Sequence, residues 1–84
     1  MSEHRVTRWV RGYDKVRETM NVEYRIPESM TLEVLQRLFG VEADDPMFEC
    51  YPVGSTQAQV LSGALGVDLL KQDCDYFVEA EAEA

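Results

Sequence analysis

Basic residues are scarce in this sequence. Eight Lys and Arg stand against sixteen Asp and Glu, a formal net charge of −8. Such an excess repels phosphate backbones and anionic lipids, so no direct nucleic-acid binding and no membrane binding are expected. Histidine occurs once, at His4, and cysteine twice, at Cys50 and Cys74. These three cannot complete a four-ligand zinc site without a carboxylate, and their spacing fits no metal motif, so no metal is expected. No apolar run approaches the ~20 residues that span a bilayer. The opening Met-Ser-Glu-His-Arg has no apolar signal core. A cytoplasmic location follows as the expectation, with both cysteines as free thiols.

The charge is also unevenly placed along the chain. Residues 1–27 carry six basic and four acidic residues, a balance of +2. Residues 28–84 hold Arg37 and Lys71 against twelve acids, a balance of −10. A surface of that sign attracts basic proteins and speeds their encounter. It also keeps a small protein soluble, whatever its role.

The 84 residues allow one domain over 1–84, with a frayed N-terminus at 1–4 and a loose C-terminal tail at 81–84. A chain this short buries about 60% of its unfolded surface, which leaves little spare stability for a strained catalytic pocket.

Arg5 to Tyr13 is rich in Val, Thr, Trp and Tyr, residues that favour strands. Asp14-Lys15-Val16-Arg17 can reverse the chain. Met20, Val22, Tyr24 and Ile26 then alternate with Asn21, Glu23 and Arg25, the period of a half-buried strand. Pro27 stops that strand, since it has no N–H for the ladder. Thr31 reads as an N-cap for a helix of about ten residues, with Glu33 in its first turn. Leu32, Leu35, Leu38 and Phe39 form the apolar stripe, and Gly40 ends the helix.

A second helix is expected near Thr56, where Thr56 and Gln59 match a capping box. Ala58, Leu61, Ala64 and Leu65 make its stripe, and Gly66 ends it. Gly63 inside it costs about 1 kcal/mol relative to Ala. Cys74, Tyr76, Val78 and Ala80 alternate with Asp75, Phe77, Glu79 and Glu81, giving a last strand with an acidic outer face. The expected fold is α+β: a three-stranded, mostly antiparallel sheet with two helices packed on one face. Phe48–Pro52 is a candidate fourth strand, for the order ββα(β)αβ. Tyr24, Phe39 and Tyr76 are expected in the core.

Catalytic constellations are hard to find. His4 has no nearby cysteine or serine partner in sequence. Gly54-Ser55-Thr56 lacks the lysine and spacing of a phosphate loop, so Ser55 reads as part of a helix start. Asp44 and Asp45 are adjacent, so their side chains diverge and cannot meet on one substrate atom. Asp45 before Pro46 fits an N-cap with proline at the first helical position, opening one helical turn. The calcium-loop pattern is absent. Trp9, flanked by Arg8 and Arg11, falls in the strand phase opposite Val6 and Val10, so either it or the valines face solvent. Basic residues beside an aromatic can bind nucleic acid, but the acidic remainder favours a sheet face with cross-strand Arg–Glu pairs. No catalytic residue and no cofactor are assigned.

Trp9, the stretch GYDK at 12–15, LEVLQRLFGV at 32–41, DDPMFECYPV at 44–53 and DYFVEA at 75–80 together resemble a family of short, uncharacterised bacterial domains. That resemblance carries no established activity. In size and charge the chain is similar to the immunity proteins of contact-dependent inhibition and related polymorphic toxin systems. This second likeness implies a non-catalytic partner for a cognate toxin domain. A nuclease toxin must carry a basic substrate surface. Clustered carboxylates with apolar anchors can occupy it. The expected contact residues are Asp44, Asp45, Met47, Phe48, Glu49 and Tyr51, with Asp73, Asp75 and Glu79 on the last strand. The rival expectation is a small ligand-binding domain, or an accessory domain that oligomerises through an exposed sheet edge.

Overall fold

The computed structural model describes residues 6–70 and 73–82, and begins with a hairpin that Asp14 turns. Strand β1 spans Val6–Asp14 and β2 spans Met20–Arg25. Between them the Asp14 carboxylate accepts from the amides of Val16 and Arg17, both at 2.9 Å. The Asp14 carbonyl takes the Glu18 amide at 2.8 Å. Glu18 adopts φ +58°, a left-handed conformation that closes the turn. Those two side-chain bonds favour the ionised form of Asp14 and hold its carboxyl below the usual range.

Helix α1 (Leu32–Phe39), strand β3 (Tyr51–Pro52), helix α2 (Ser55–Leu65) and strand β4 (Cys74–Ala82) complete the chain. The sheet is four-stranded, in the order β2-β1-β4-β3, with every neighbouring pair antiparallel. The expected α+β architecture and its ββαβαβ order are therefore found. The fourth strand forms, though it is only two residues long. Glu81 and Ala82, expected in a loose tail, continue β4 opposite Thr7 and Val6. Residues 1–5, with His4 and the whole of the expected N-terminal fray, lie outside the described residues, as do 71–72 and 83–84.

Strand phase decides what is buried. Val10, Tyr24 and Val78 lie side by side across β1, β2 and β4, as do Gly12, Val22 and Tyr76. This is the face that meets the helices. Val10, Val78, Leu35, Met47 and Leu61 are the largest fully buried side chains. Each such side chain contributes about 1.5–3 kcal/mol relative to exposure. Ile26, Ala58, Leu69, Cys74 and Tyr76 complete the buried cluster, and Tyr24 and Phe39 pack against it half-buried. Gly12 has a steric reason: a Cβ there would lie 2.6 Å from the Tyr76 ring. The ring covers that gap, and burial above all pushes the Tyr76 hydroxyl up to about 12. Cys50 and Cys74 are both free thiols.

Thr31 caps α1, accepting the Val34 amide at 3.4 Å, and Gly40 ends it at φ +65°. The helix is shorter than expected, eight residues. The start of α2 corrects the expected Thr56–Gln59 box. Gly54 is the N-cap, and Gln57 reaches back to accept its amide at 3.1 Å. The Gln57 amide group then donates to Leu38 O at 3.2 Å, tying the two helices together. That second bond favours the earlier start. Ala64 is exposed, so the buried stripe of α2 is Ala58 and Leu61, with Leu65 half-buried. Gly66 closes α2 at φ +69°, as expected.

Candidate functional site

The segment between α1 and β3 is the most constrained irregular stretch of the chain. No helical turn opens at Asp45-Pro46, contrary to the capping expectation. Instead the loop is tied down by side chains from outside it. Gln36, only 7% exposed, donates from Nε2 to Ala43 O at 3.0 Å and to Asp45 O at 2.7 Å. Arg8 Nη2 donates to Pro46 O at 2.7 Å. The Asp45 carboxylate accepts the Met47 amide at 2.8 Å and the Tyr51 hydroxyl at 3.0 Å. The backbone carbonyls of Ala43, Asp45 and Pro46 are thus met by buried or half-buried donors, which fixes one loop conformation.

Met47 is the plug. It is fully buried and adopts φ +53°, a left-handed conformation uncommon for any residue other than glycine. A left-handed non-glycine residue persists only where its surroundings over-determine it. Here the Asp45 cap on its amide and the burial of its side chain do so. With Met47 turned inward, Phe48 is turned out and is 58% exposed. Asp44, Pro46 and Glu49 are exposed beside it in sequence.

The expected contact residues between Asp44 and Tyr51 therefore separate into three groups. Asp44, Phe48 and Glu49 are exposed and available on the loop. Met47, expected as an anchor, belongs to the core, because its side chain fills the space under the loop. Asp45 and Tyr51 are half-buried and bond to each other, with Tyr51 also edge-on to Phe39 at 6.2 Å. Burial, then the Asp45 bond, raise the Tyr51 hydroxyl above its ordinary value. Asp73 is exposed at the start of β4, and Asp75 faces Lys15 at 3.9 Å. Glu79 is not a free surface acid. It is held by Arg11 at 3.1 Å and the Tyr13 hydroxyl at 2.7 Å, with the Cys50 thiol at 3.6 Å. Just past segment 44–49, Cys50 reaches Glu79, while Met47 shares the core cluster with Cys74, Tyr76 and Val78.

Glu79 belongs to the sheet face that the helices leave open. Arg11 stands at its centre, bonded to Glu23 at 3.0 Å, Glu79 at 3.1 Å and Glu81 at 2.6 Å, so one guanidinium spans three strands. The Arg11 guanidinium also lies 5.4 Å from the Trp9 ring centroid, within cation–π range. Tyr13 and Phe77 meet edge to face at 5.9 Å. Burial pushes the Glu79 carboxyl up, but the bonds from Tyr13, Arg11 and Cys50 outweigh it, and the net shift is down. Burial and then the Glu79 charge push the Cys50 thiol up, which leaves it less thiolate and less nucleophilic than a free cysteine. The expected Arg–Glu sheet face is thus present, with Trp9 on it and Val10 in the core.

Sequence reasoning missed Arg8 and Gln36 as determinants of the loop. A signal existed for each. Arg8 shares strand phase with Val6 and Val10, so it points to the helix side. Gln36 sits between Leu32 and Phe39 at helical spacing, where an apolar residue is the norm. Burial lowers the Arg8 guanidinium, and its buried Nε has no hydrogen-bond partner among the described residues. Among the described residues, no group of three His, Cys, Asp or Glu could hold a metal ion. No helix among them is long and apolar enough to cross a membrane.

Comparison with curated proteins gives no match, and comparison with solved structures gives none either. The model of a family described as a domain of unknown function (DUF7683) matches residues 7–79, nearly the whole sheet and both helices, and the chain belongs to that family.

Proposed function

We propose that this protein is a non-catalytic binding domain, an immunity protein that neutralises a cognate basic, nuclease-type bacterial toxin domain. One observation carries the reading: a loop pinned at Ala43, Asp45, Pro46 and Met47 presents Phe48 outward between Asp44 and Glu49. Preorganisation of that kind lowers the ordering cost of association. An exposed aromatic is the usual centre of a tight contact. Flanking carboxylates suit a surface built to hold phosphates. The remaining exposed acids, such as Glu18, Glu28, Asp68 and Asp73, are dispersed over other loops. They add a general negative field that steers a basic partner, while the loop supplies the specific contact.

The test is coexpression with the toxin domain encoded beside it, read by growth protection and by the dissociation constant of the complex. Phe48→Ala is expected to weaken binding by about 2 kcal/mol, roughly thirtyfold, as for a central anchor. Asp44→Lys with Glu49→Lys should weaken it further and reduce its salt dependence. Asp45 is unsuited to this test, because its carboxylate holds the loop. Absence of both complex and protection would overturn the proposal.

A further inference from the structure

The two edges of the sheet are built differently. At one edge β3 is two residues long and contains Pro52, so it offers almost no ladder to another chain. At the other edge β2 runs for six residues, Met20–Arg25, with no Lys, Pro or Gly among them. Of the devices that blunt an edge strand, β2 has only two charges, Glu23 and Arg25, and a register shift at its Met20 end, so its ladder from Val22 to Arg25 stays regular and open.

The register shows what that edge presents. Ile26 donates to Arg8 O at 2.9 Å, so Ile26, Tyr24 and Val22 point their backbone groups inward to β1. Glu23 and Arg25 then point their N–H and C=O groups outward. Their side chains stand together on the open sheet face, in line with Arg11 and Trp9 of β1. Arg25 is exposed and makes no ion pair among the described residues.

We propose that β2 pairs with β2 of a second copy of this chain, antiparallel about a two-fold axis through Tyr24. An isologous contact must be self-complementary, and strand parity leaves few registers. Centred on Glu23 or on Arg25, the pair would set like charges opposite each other. Centred on Tyr24, Glu23 of each copy, whose Oε2 is already bonded to its own Arg11 at 3.0 Å, turns its second carboxylate oxygen to Arg25 of the other at a hydrogen-bonded position. Four backbone hydrogen bonds form between these residues. Two opposite-charge cross-strand pairs lie above them on the open face. On the helix side Tyr24 meets its own copy at a close, non-hydrogen-bonded position, and Val22 faces Ile26. The result is a continuous eight-stranded sheet. Three strands, β2, β1 and β4, separate its centre from β3, so the loop at 42–50 stays free in each copy.

Sedimentation equilibrium over a concentration series tests this on the full chain. Wild type is expected to reach twice the chain mass, with concentration-dependent protection of the Glu23 and Arg25 amides against hydrogen exchange. Arg25→Glu should give the monomer mass at every concentration, as should Glu23→Arg. The swap Glu23→Arg with Arg25→Glu restores complementarity and should restore the dimer. If Glu23→Arg fails to fold by circular dichroism, Arg25→Glu and amide protection still decide. A wild type that stays monomeric, a dimer indifferent to Arg25→Glu, or a folded swap variant that stays monomeric would each overturn the proposal.

Discussion

Replacing Gln36 by Met tests the claim that the loop is held by buried donors. The side chains are similar in length, and Met adds no polar demand of its own. What disappears is Nε2, which serves Ala43 O at 3.0 Å and Asp45 O at 2.7 Å. Two typical hydrogen bonds contribute about 2 kcal/mol, and carbonyls left dry cost up to roughly 1–3 kcal/mol each. Burying the thioether offsets part of that, by about 1 kcal/mol on the scale of a buried methylene. The net expectation is a loss of about 2–3 kcal/mol, or some 10–20 °C in Tm for a domain of this length. Urea and thermal melts measure the global cost. Amide exchange locates it, since Met47 and Asp45 should exchange faster while Val10 and Val78 change only through global unfolding. A Tm within a few degrees of wild type, with unchanged exchange at 44–49, would refute the argument. The loop would then be held by Met47 and Arg8, with Gln36 contributing little.

Two further perturbations probe separate features. Gly63 lies inside α2 with a conventional φ, and an added Cβ would meet nothing within 4 Å. Gly63→Ala should therefore stabilise by about 1 kcal/mol and raise Tm by about 4–8 °C, and a lowered Tm would count against it. Glu79 has a folded-state carboxyl below its ordinary value of 4.5, so its contribution is fully present above that value and is lost as pH falls through the folded one. Glu79→Gln should melt below wild type at neutral pH, with the gap closing as pH drops from about 5 toward 2. A gap that stays constant in a Tm–pH series would show that Glu79 acts without its charge.

Local signals in the chain carried far. Alternation at Met20–Ile26 and at Cys74–Ala80 named the strands and, from Val22 onward in the first, their buried sides, because a period of two has only two phases; Met20, beside the register shift, is exposed. Thr31, Gly40 and Gly66 named helix ends, because their backbone chemistry is decided within a turn. Reading failed where a residue answers to distant partners. Asp45-Pro46 has the local form of a helix start. Tyr51, Met47 and the carbonyls claimed by Gln36 and Arg8 draw it into a loop instead. Gln57 replaced Gln59 as the capping side chain because only Gln57 also reaches Leu38 O.

Composition and periodicity determined the α+β class, the element order and the acidic character. They did so because each depends on residue type or on spacing within a few positions. Which carboxylates are free was decided by the tertiary structure alone. Glu79 and Glu23 lie 56 residues apart, yet one guanidinium on β1 claims both. Met47 and Phe48 are neighbours of similar hydrophobicity, and only the left-handed turn at Met47 sends one into the core and the other to solvent. Long-range hydrogen bonds and packing select among conformations that are locally close in energy, and that selection leaves no mark on a single sequence.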